Sequence, residues 1–119
     1  MKWPVRIRRN KYLTWYEALV ERAHTRTLPG DVYTETHHIV PRSLGGCDES
    51  SNLVSLTARE HYVAHLLLWR MDMAPKWHNK MTMALHVMVN GSGTGKQKVE
   101  RSSYVINSRL FEKYRKEWR

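Results

Sequence analysis

The segment Glu35-Thr-His37-His38-Ile-Val-Pro41-Arg42-Ser-Leu-Gly45-Gly46-Cys-Asp48-Glu-Ser-Ser-Asn52-Leu-Val-Ser-Leu56-Thr-Ala-Arg-Glu60-His61-Tyr-Val-Ala-His65 changes its structural rhythm three times. Residues 32 to 40 are rich in β-branched and aromatic side chains, Val32, Tyr33, Thr34, Thr36, Ile39 and Val40, which predicts a strand running into Pro41. Ser43, Gly45, Gly46, Asp48, Ser50, Ser51 and Asn52 then predict a turn-rich loop. Leu53 to Leu56 forms a second short strand. Thr57 with Glu60 three residues on makes a capping box, so a helix begins at about Ala58 and continues through Trp69.

On the N-terminal side, Leu13, Tyr16, Leu19, Val20 and Ala23 recur at helical spacing from Tyr12 to about Arg26, and Leu28-Pro29-Gly30-Asp31 breaks that helix. On the C-terminal side, Pro75 suits the first turn of a helix that places Trp77, Met81, Ala84, Leu85 and Met88 on one face and stops at Asn90-Gly91. Gly91 to Gly95 is a linker. A last helix from about Ser103 buries Ile106, Leu110, Phe111, Tyr114 and Trp118. The fold class expected is α+β, a small hairpin-plus-helix core at about 32–70, flanked by an N-terminal arm and helix (1–27) and by C-terminal helices (75–119). Residues 1–119 make a single domain, since a chain of 119 residues is too short for two well-buried cores.

The chain carries 20 Lys and Arg against 11 Asp and Glu, a formal charge of +9 that attracts polyanions, nucleic acid first among them. The surplus crowds both ends. Arg6, Arg8, Arg9 and Lys11 at one end, and Arg109, Lys113 and Lys116 at the other, are candidates for gripping double-stranded DNA; solvated, frayed termini have the same composition. A single cysteine, Cys47, excludes an intrachain disulfide and any zinc site built from paired CxxC motifs. No apolar run approaches the roughly 20 residues of a membrane span, and the start has no signal-peptide pattern, so a cytoplasmic location is expected. The run from Gly91 to Lys96 is not a phosphate loop, because Asn90 and Gln97 stand where a Walker A motif needs Gly and Ser or Thr; no small-molecule cofactor is expected.

Four of the seven histidines, His37, His38, His61 and His65, fall inside the strand, loop, strand and helix segment. His61 and His65 lie one helical turn apart and project from the same face, as two ligands of one metal must. His37 and His38 point to opposite sides of a regular strand, one toward the helix and one toward a substrate. Three imidazoles then ligate and a fourth is left as a base. Three neutral imidazoles suit zinc, nickel and other first-row ions and leave a coordination position open for a phosphate oxygen. Phosphodiester hydrolysis needs a base for the attacking water, which His38 supplies, and positive charge against the developing phosphorane. A purely structural metal site or a pH-sensing pair would use the same residues. His24, His78 and His86 have no such partners and are surface or core histidines.

With Asn52 between them, His38 and His61 spell the signature of the HNH (ββα-metal) endonucleases, and the strings around them resemble those of phage-encoded HNH enzymes, many of them homing endonucleases. The resemblance implies that His37 is the first metal ligand, His38 the general base and His61 the ligand on the helix. It implies that Asn52 hydrogen-bonds across the loop to keep the base oriented, where a simple loop-closing Asx turn would use the same residue. His65 matches the extra ligand of the bacteriocin-type members. Glu35 would hold an imidazole N–H from behind and fix its tautomer, where an ordinary exposed strand residue would look the same, and Arg42, beyond Pro41, would clamp a phosphate through its guanidinium, where a solvated loop arginine would look the same. Gly45-Gly46 serves turn geometry.

These observations lead to a metal-dependent DNA endonuclease that nicks one strand, using one divalent ion per site (Mg, Mn, Ni or Zn), as a monomer or weak dimer. The alternative is a non-catalytic DNA-binding or packaging module whose histidines hold a structural ion. A ribonuclease or bacteriocin-like toxin nuclease keeps the chemistry and changes the target.

Overall fold

The computed structural model describes residues 1–90. The predicted helix from Ser103, the linker Gly91 to Gly95 and the candidate contacts Arg109, Lys113 and Lys116 lie outside the described residues. Asn10 opens the first helix, α1 (Lys11–Thr25), by accepting the Leu13 N–H on its side chain at 3.0 Å. Its amide nitrogen also donates to the Arg70 carbonyl at 3.3 Å, tying the start of α1 to the end of the site-bearing helix. The apolar stripe does what its spacing predicts: Leu13, Tyr16, Leu19 and Val20 are all buried.

The central hairpin pairs β2 (Glu35–His38) with β3 (Leu53–Leu56), antiparallel, His37 opposite Val54 and His38 opposite Leu53. β2 is shorter than the strand expected over 32–40. After His38 the backbone leaves the ladder: the Ile39 N–H bonds the Asn52 carbonyl at 2.8 Å and the Val40 N–H bonds the Asn52 side chain. The β-branched pair Ile39 and Val40 still packs in the core, at 5% and 8% exposure, so burial kept those residues apolar without making them strand.

Helix α2 (Ala58–Arg70) starts on the predicted capping box, with Thr57 accepting the Glu60 N–H and Glu60 accepting the Thr57 N–H. Glu60 also accepts from both terminal guanidinium nitrogens of Arg26, which pins the end of α1 to the start of α2. Burial alone would raise the Glu60 pKa; Arg26 and Thr57 outweigh it and hold the carboxyl below its usual range. α2 is buried on two flanks. Ala64, Leu67 and Leu68 join the main core with Leu13, Tyr16, Leu56 and Met81, while Ala58, Tyr62 and Leu66 meet Leu85, Met88 and Val89 of α3 (Pro75–Asn90). Each fully buried leucine contributes roughly 2 kcal/mol, so α2 with three of them is held firmly between its neighbours. That leaves His61 and His65 on a rigid support.

A second ribbon was not foreseen. Within the stretch read as a basic arm, β1 (Ile7–Arg8) pairs antiparallel with β4 (Asp72–Met73), Ile7 opposite Met73 and Arg8 opposite Asp72. Two-residue strands carry no periodicity, and their pairing joins the two sides of the domain. Among the described residues the architecture is therefore α+β, three helices with two small antiparallel sheets, compatible with a ββα core built from β2, β3 and α2. No helix among them is long and apolar enough to cross a membrane.

Candidate metal centre and active site

β2 and α2 face one another, and three imidazoles meet between them. The ring centroids of His37, His61 and His65 lie 5.1, 5.2 and 5.0 Å apart, a nearly equilateral triangle. One ligand atom from each lies within 4.8 Å of the other two. Ligands of a tetrahedral ion sit roughly 3.4 Å apart, so the rings would have to draw together by up to an ångström or so to close on one. These three residues form the one group of this kind among the described residues.

The donor chemistry suits a divalent transition ion. Burial, with help from the neighbouring His65, His61 and His38, lowers the His37 pKa to about 2; burial and His61 lower that of His65 to about 3. Both rings are neutral at pH 7 and ready to ligate without first losing a proton. Nδ1 of His65 is buried and has no hydrogen-bond partner among the described residues. Such an orphan costs free energy unless something satisfies it, and a bound ion is one group that could.

Glu35 stands behind the ligand set. Its Oε1 accepts the His61 Nδ1–H at 2.7 Å, which leaves Nε2 of His61 with the lone pair, and its Oε2 accepts the Tyr33 hydroxyl at 2.8 Å. The sequence placed a carboxylate here without deciding which ring it would hold; the cross-strand geometry selects His61.

His38 points the other way, as strand alternation requires. Its side chain is 32% exposed, whereas His37 is 2% exposed. His38 Nε2 lies 2.8 Å from Asp48 Oδ1. A carboxylate can only accept, so Nε2 carries the hydrogen and Nδ1 the lone pair. The Arg42 Nε is 3.6 Å from the same oxygen, and His38 and Arg42 together hold the Asp48 carboxyl below its usual pKa. Arg42 is exposed at 70%, beside the His38–Asp48 pair and open to an incoming anion.

Asn52, 9% exposed, closes the loop. Its Oδ1 accepts the Val40 N–H at 2.8 Å, and its Nδ2 donates to the Val40 carbonyl at 3.0 Å and the Cys47 carbonyl at 2.8 Å. Val40 is two residues from His38, so the amide braces the backbone that carries that ring. The loop admits only glycine at 46, where a Cβ would come within 1.8 Å of the Val40 carbonyl oxygen, and Gly45 adopts φ +99°. The two glycines serve turn geometry, as expected.

The basic candidates fall elsewhere. Arg6 and Arg8 are exposed and line a shallow cleft with Asp72, Met73 and Ala74 that none of the four histidines borders. Arg9 is engaged by Glu17 at 2.7 Å and by Thr14. Lys11 lies over the Tyr12 and Trp15 rings. Two site residues escaped the sequence reading. Asp48 looked like one more turn residue, and its place in the loop that returns to Asn52 was the signal available. Tyr16, whose hydroxyl lies 2.7 Å from His37 Nε2, occupied an ordinary core position of an amphipathic helix and gave no signal.

No family model and no solved structure matches the chain. Among the curated proteins similar to it are probable mobile endonucleases of Enterobacteria phage T4. Probable mobile endonuclease E is 39% identical over 107 residues, covering 88% of this chain and 72% of that protein. Probable mobile endonuclease B is 42% identical over 84 residues and probable mobile endonuclease D 48% identical over 60, and there the chain spans 30% and 23% of their lengths. The first of these similarities extends well beyond the histidine segment and covers more than two thirds of that protein, and the chain belongs to the family of the phage T4 mobile endonucleases.

Proposed function

We propose that this protein is a metal-dependent DNA endonuclease of the HNH (ββα-metal) type, which hydrolyses one phosphodiester of double-stranded DNA at a time to leave 5′-phosphate and 3′-hydroxyl ends. The observation that carries the reading is the triangle of imidazoles on one side of β2 with a fourth, half-exposed imidazole on the other. The names of its phage relatives, mobile endonucleases, support nuclease activity. His37, His61 and His65 would hold a divalent ion, Mg, Mn, Ni or Zn. Bound there, it supplies positive charge against the charge that builds on the phosphate and on the departing 3′ oxygen.

The chain's own residues do the rest. His38 takes the proton of the attacking water on Nδ1, while Asp48 keeps the ring turned by accepting its Nε2–H. Asn52 holds the strand end under that ring. Arg42 is positioned to bind a phosphate oxygen, in competition with Asp48. A single site cuts one strand, so nicking is the expected product of a monomer.

Supercoiled plasmid incubated with the protein and Mg²⁺, Mn²⁺, Ni²⁺ or Zn²⁺ in turn tests this. Open-circular product is expected with at least one ion and none in EDTA, and His38→Ala is expected to lose at least about 10²-fold while still taking up metal. Undiminished nicking by metal-loaded His38→Ala removes the base assignment; no cleavage with any ion removes the activity. A structural-ion reading draws on the depth of His37 in the domain. It requires that EDTA unfold the protein, whereas an enzymatic site keeps its circular dichroism and loses activity.

A further inference from the structure

The Tyr16 hydroxyl touches two groups at once. It lies 2.5 Å from the Ile39 carbonyl oxygen and 2.7 Å from His37 Nε2, with the Tyr16 side chain fully buried. A carbonyl oxygen can only accept, so the single hydroxyl hydrogen goes to Ile39. The phenol oxygen is then left as an acceptor, and the hydrogen between it and His37 belongs to the ring, on Nε2. The Ile39 carbonyl thus sets the direction of the relay.

We infer that Tyr16, from outside the hairpin-and-helix core, is a positioning residue that fixes His37 as the Nε2–H tautomer and thereby presents Nδ1 toward His61 and His65. The inference rests on the metal-site reading above and deepens it. Glu35 does the corresponding work for His61 by the opposite choice, taking Nδ1–H and freeing Nε2. The two ligands are thus oriented by partners from different elements, β2 for the helix histidine and α1 for the strand histidine. The α1 helix is consequently part of the site, and a hairpin-plus-helix fragment without it would carry a misoriented first ligand. The same relay fixes the backbone just past the base, because Ile39 follows His38 directly.

Ring-nitrogen correlation spectra of the metal-free, ¹⁵N-labelled protein read the tautomer with no metal and no activity involved, and Zn²⁺ titration by calorimetry reads its consequence. Wild-type His37 is expected as Nε2–H. Tyr16→Phe is expected to give a mixed or reversed tautomer and to weaken Zn²⁺ binding about 10- to 100-fold, the usual cost of losing a ligand's hydrogen-bond partner. A wild-type His37 protonated on Nδ1 overturns the inference, whether or not the variant folds. A folded Tyr16→Phe with unchanged tautomer and unchanged affinity also overturns it. A wild-type protein that shows the Nε2–H form, loses it in Tyr16→Phe and binds no Zn²⁺ upholds the orienting role of Tyr16 and refutes the metal-site reading alone.

Discussion

Replacing Asn52 with alanine removes three hydrogen bonds at one stroke and gives a magnitude that can be worked from the contacts. The Val40 N–H and C=O lose their partner on a residue only 8% exposed, and the Cys47 carbonyl loses its partner on an exposed residue. A buried orphan costs about 1–3 kcal/mol, and the exposed carbonyl of Cys47 regains water at little cost. Val40 and Asn52 border an open cleft of about 740 Å³ between the N-terminal residues and the loop, from which water can reach the vacated space. That places the loss in the lower half of the range for two groups, about 3 kcal/mol, or about two powers of ten in the folding equilibrium. A domain with the usual stability of about 5–15 kcal/mol still folds. Asn52→Asp is the sharper companion. It keeps the acceptor for Val40 N–H but turns the donor into an anionic oxygen facing two carbonyls, so it should destabilise at least as much as alanine. Urea titration followed by circular dichroism, in EDTA to exclude any metal contribution, measures both. An Asn52→Ala variant within about 0.5 kcal/mol of wild type, the range of ordinary surface substitutions, or an Asp variant as stable as the parent would refute the bracing role.

Glu35→Gln should keep the fold and weaken Zn²⁺ or Ni²⁺ binding about 10- to 100-fold, because a neutral amide holds the His61 Nδ1–H less firmly; an unchanged calorimetric affinity would count against it. The metal-free protein should lose stability in acid. Folded His37 and His65 titrate near about 2 and about 3 and unfolded histidine near 6.5, so between those values the unfolded chain binds more protons. Stability is then fully present above about pH 6.5 and falls as pH drops toward 3, by up to about 3 kcal/mol per pH unit for the pair; urea midpoints that stay flat from pH 7 to 5 would contradict this. If Arg6 and Arg8 both contact phosphate, the Arg6→Ala/Arg8→Ala double variant should bind DNA more weakly and lower the slope of log affinity against log salt by about 2. An unaltered slope would take the β1 ribbon out of the interface.

Much of the site was legible because its signals are local. The capping box of Thr57 and Glu60 starts a helix wherever it occurs, and a four-residue spacing puts His61 and His65 on one face whatever the helix packs against. Strand alternation likewise separates His37 from His38. The hydrogen bonds of Asn52 span the loop that its turn-rich composition announces; a turn-closing role was legible in that composition, and the bridging role only through the family resemblance. The strand boundary at His38 was less so, since burial and strand formation favour the same residue types and Ile39 and Val40 satisfy only the first.

From the sequence alone come the α+β class, the order of strand, loop, strand and helix, and the four histidines with their relative facing, all set by periodicities of a few residues. Tertiary structure decided which ring Glu35 grips, that Asp48 turns His38, that Tyr16 reaches across from α1 to His37, and that Ile7 and Arg8 pair with Asp72 and Met73. The reason is the same in each case. A hydrogen bond between side chains on separate elements depends on how those elements pack, and packing is settled by the shared core of Leu13, Tyr16, Leu56, Leu67 and Leu68, not by the spacing of the residues that meet across it.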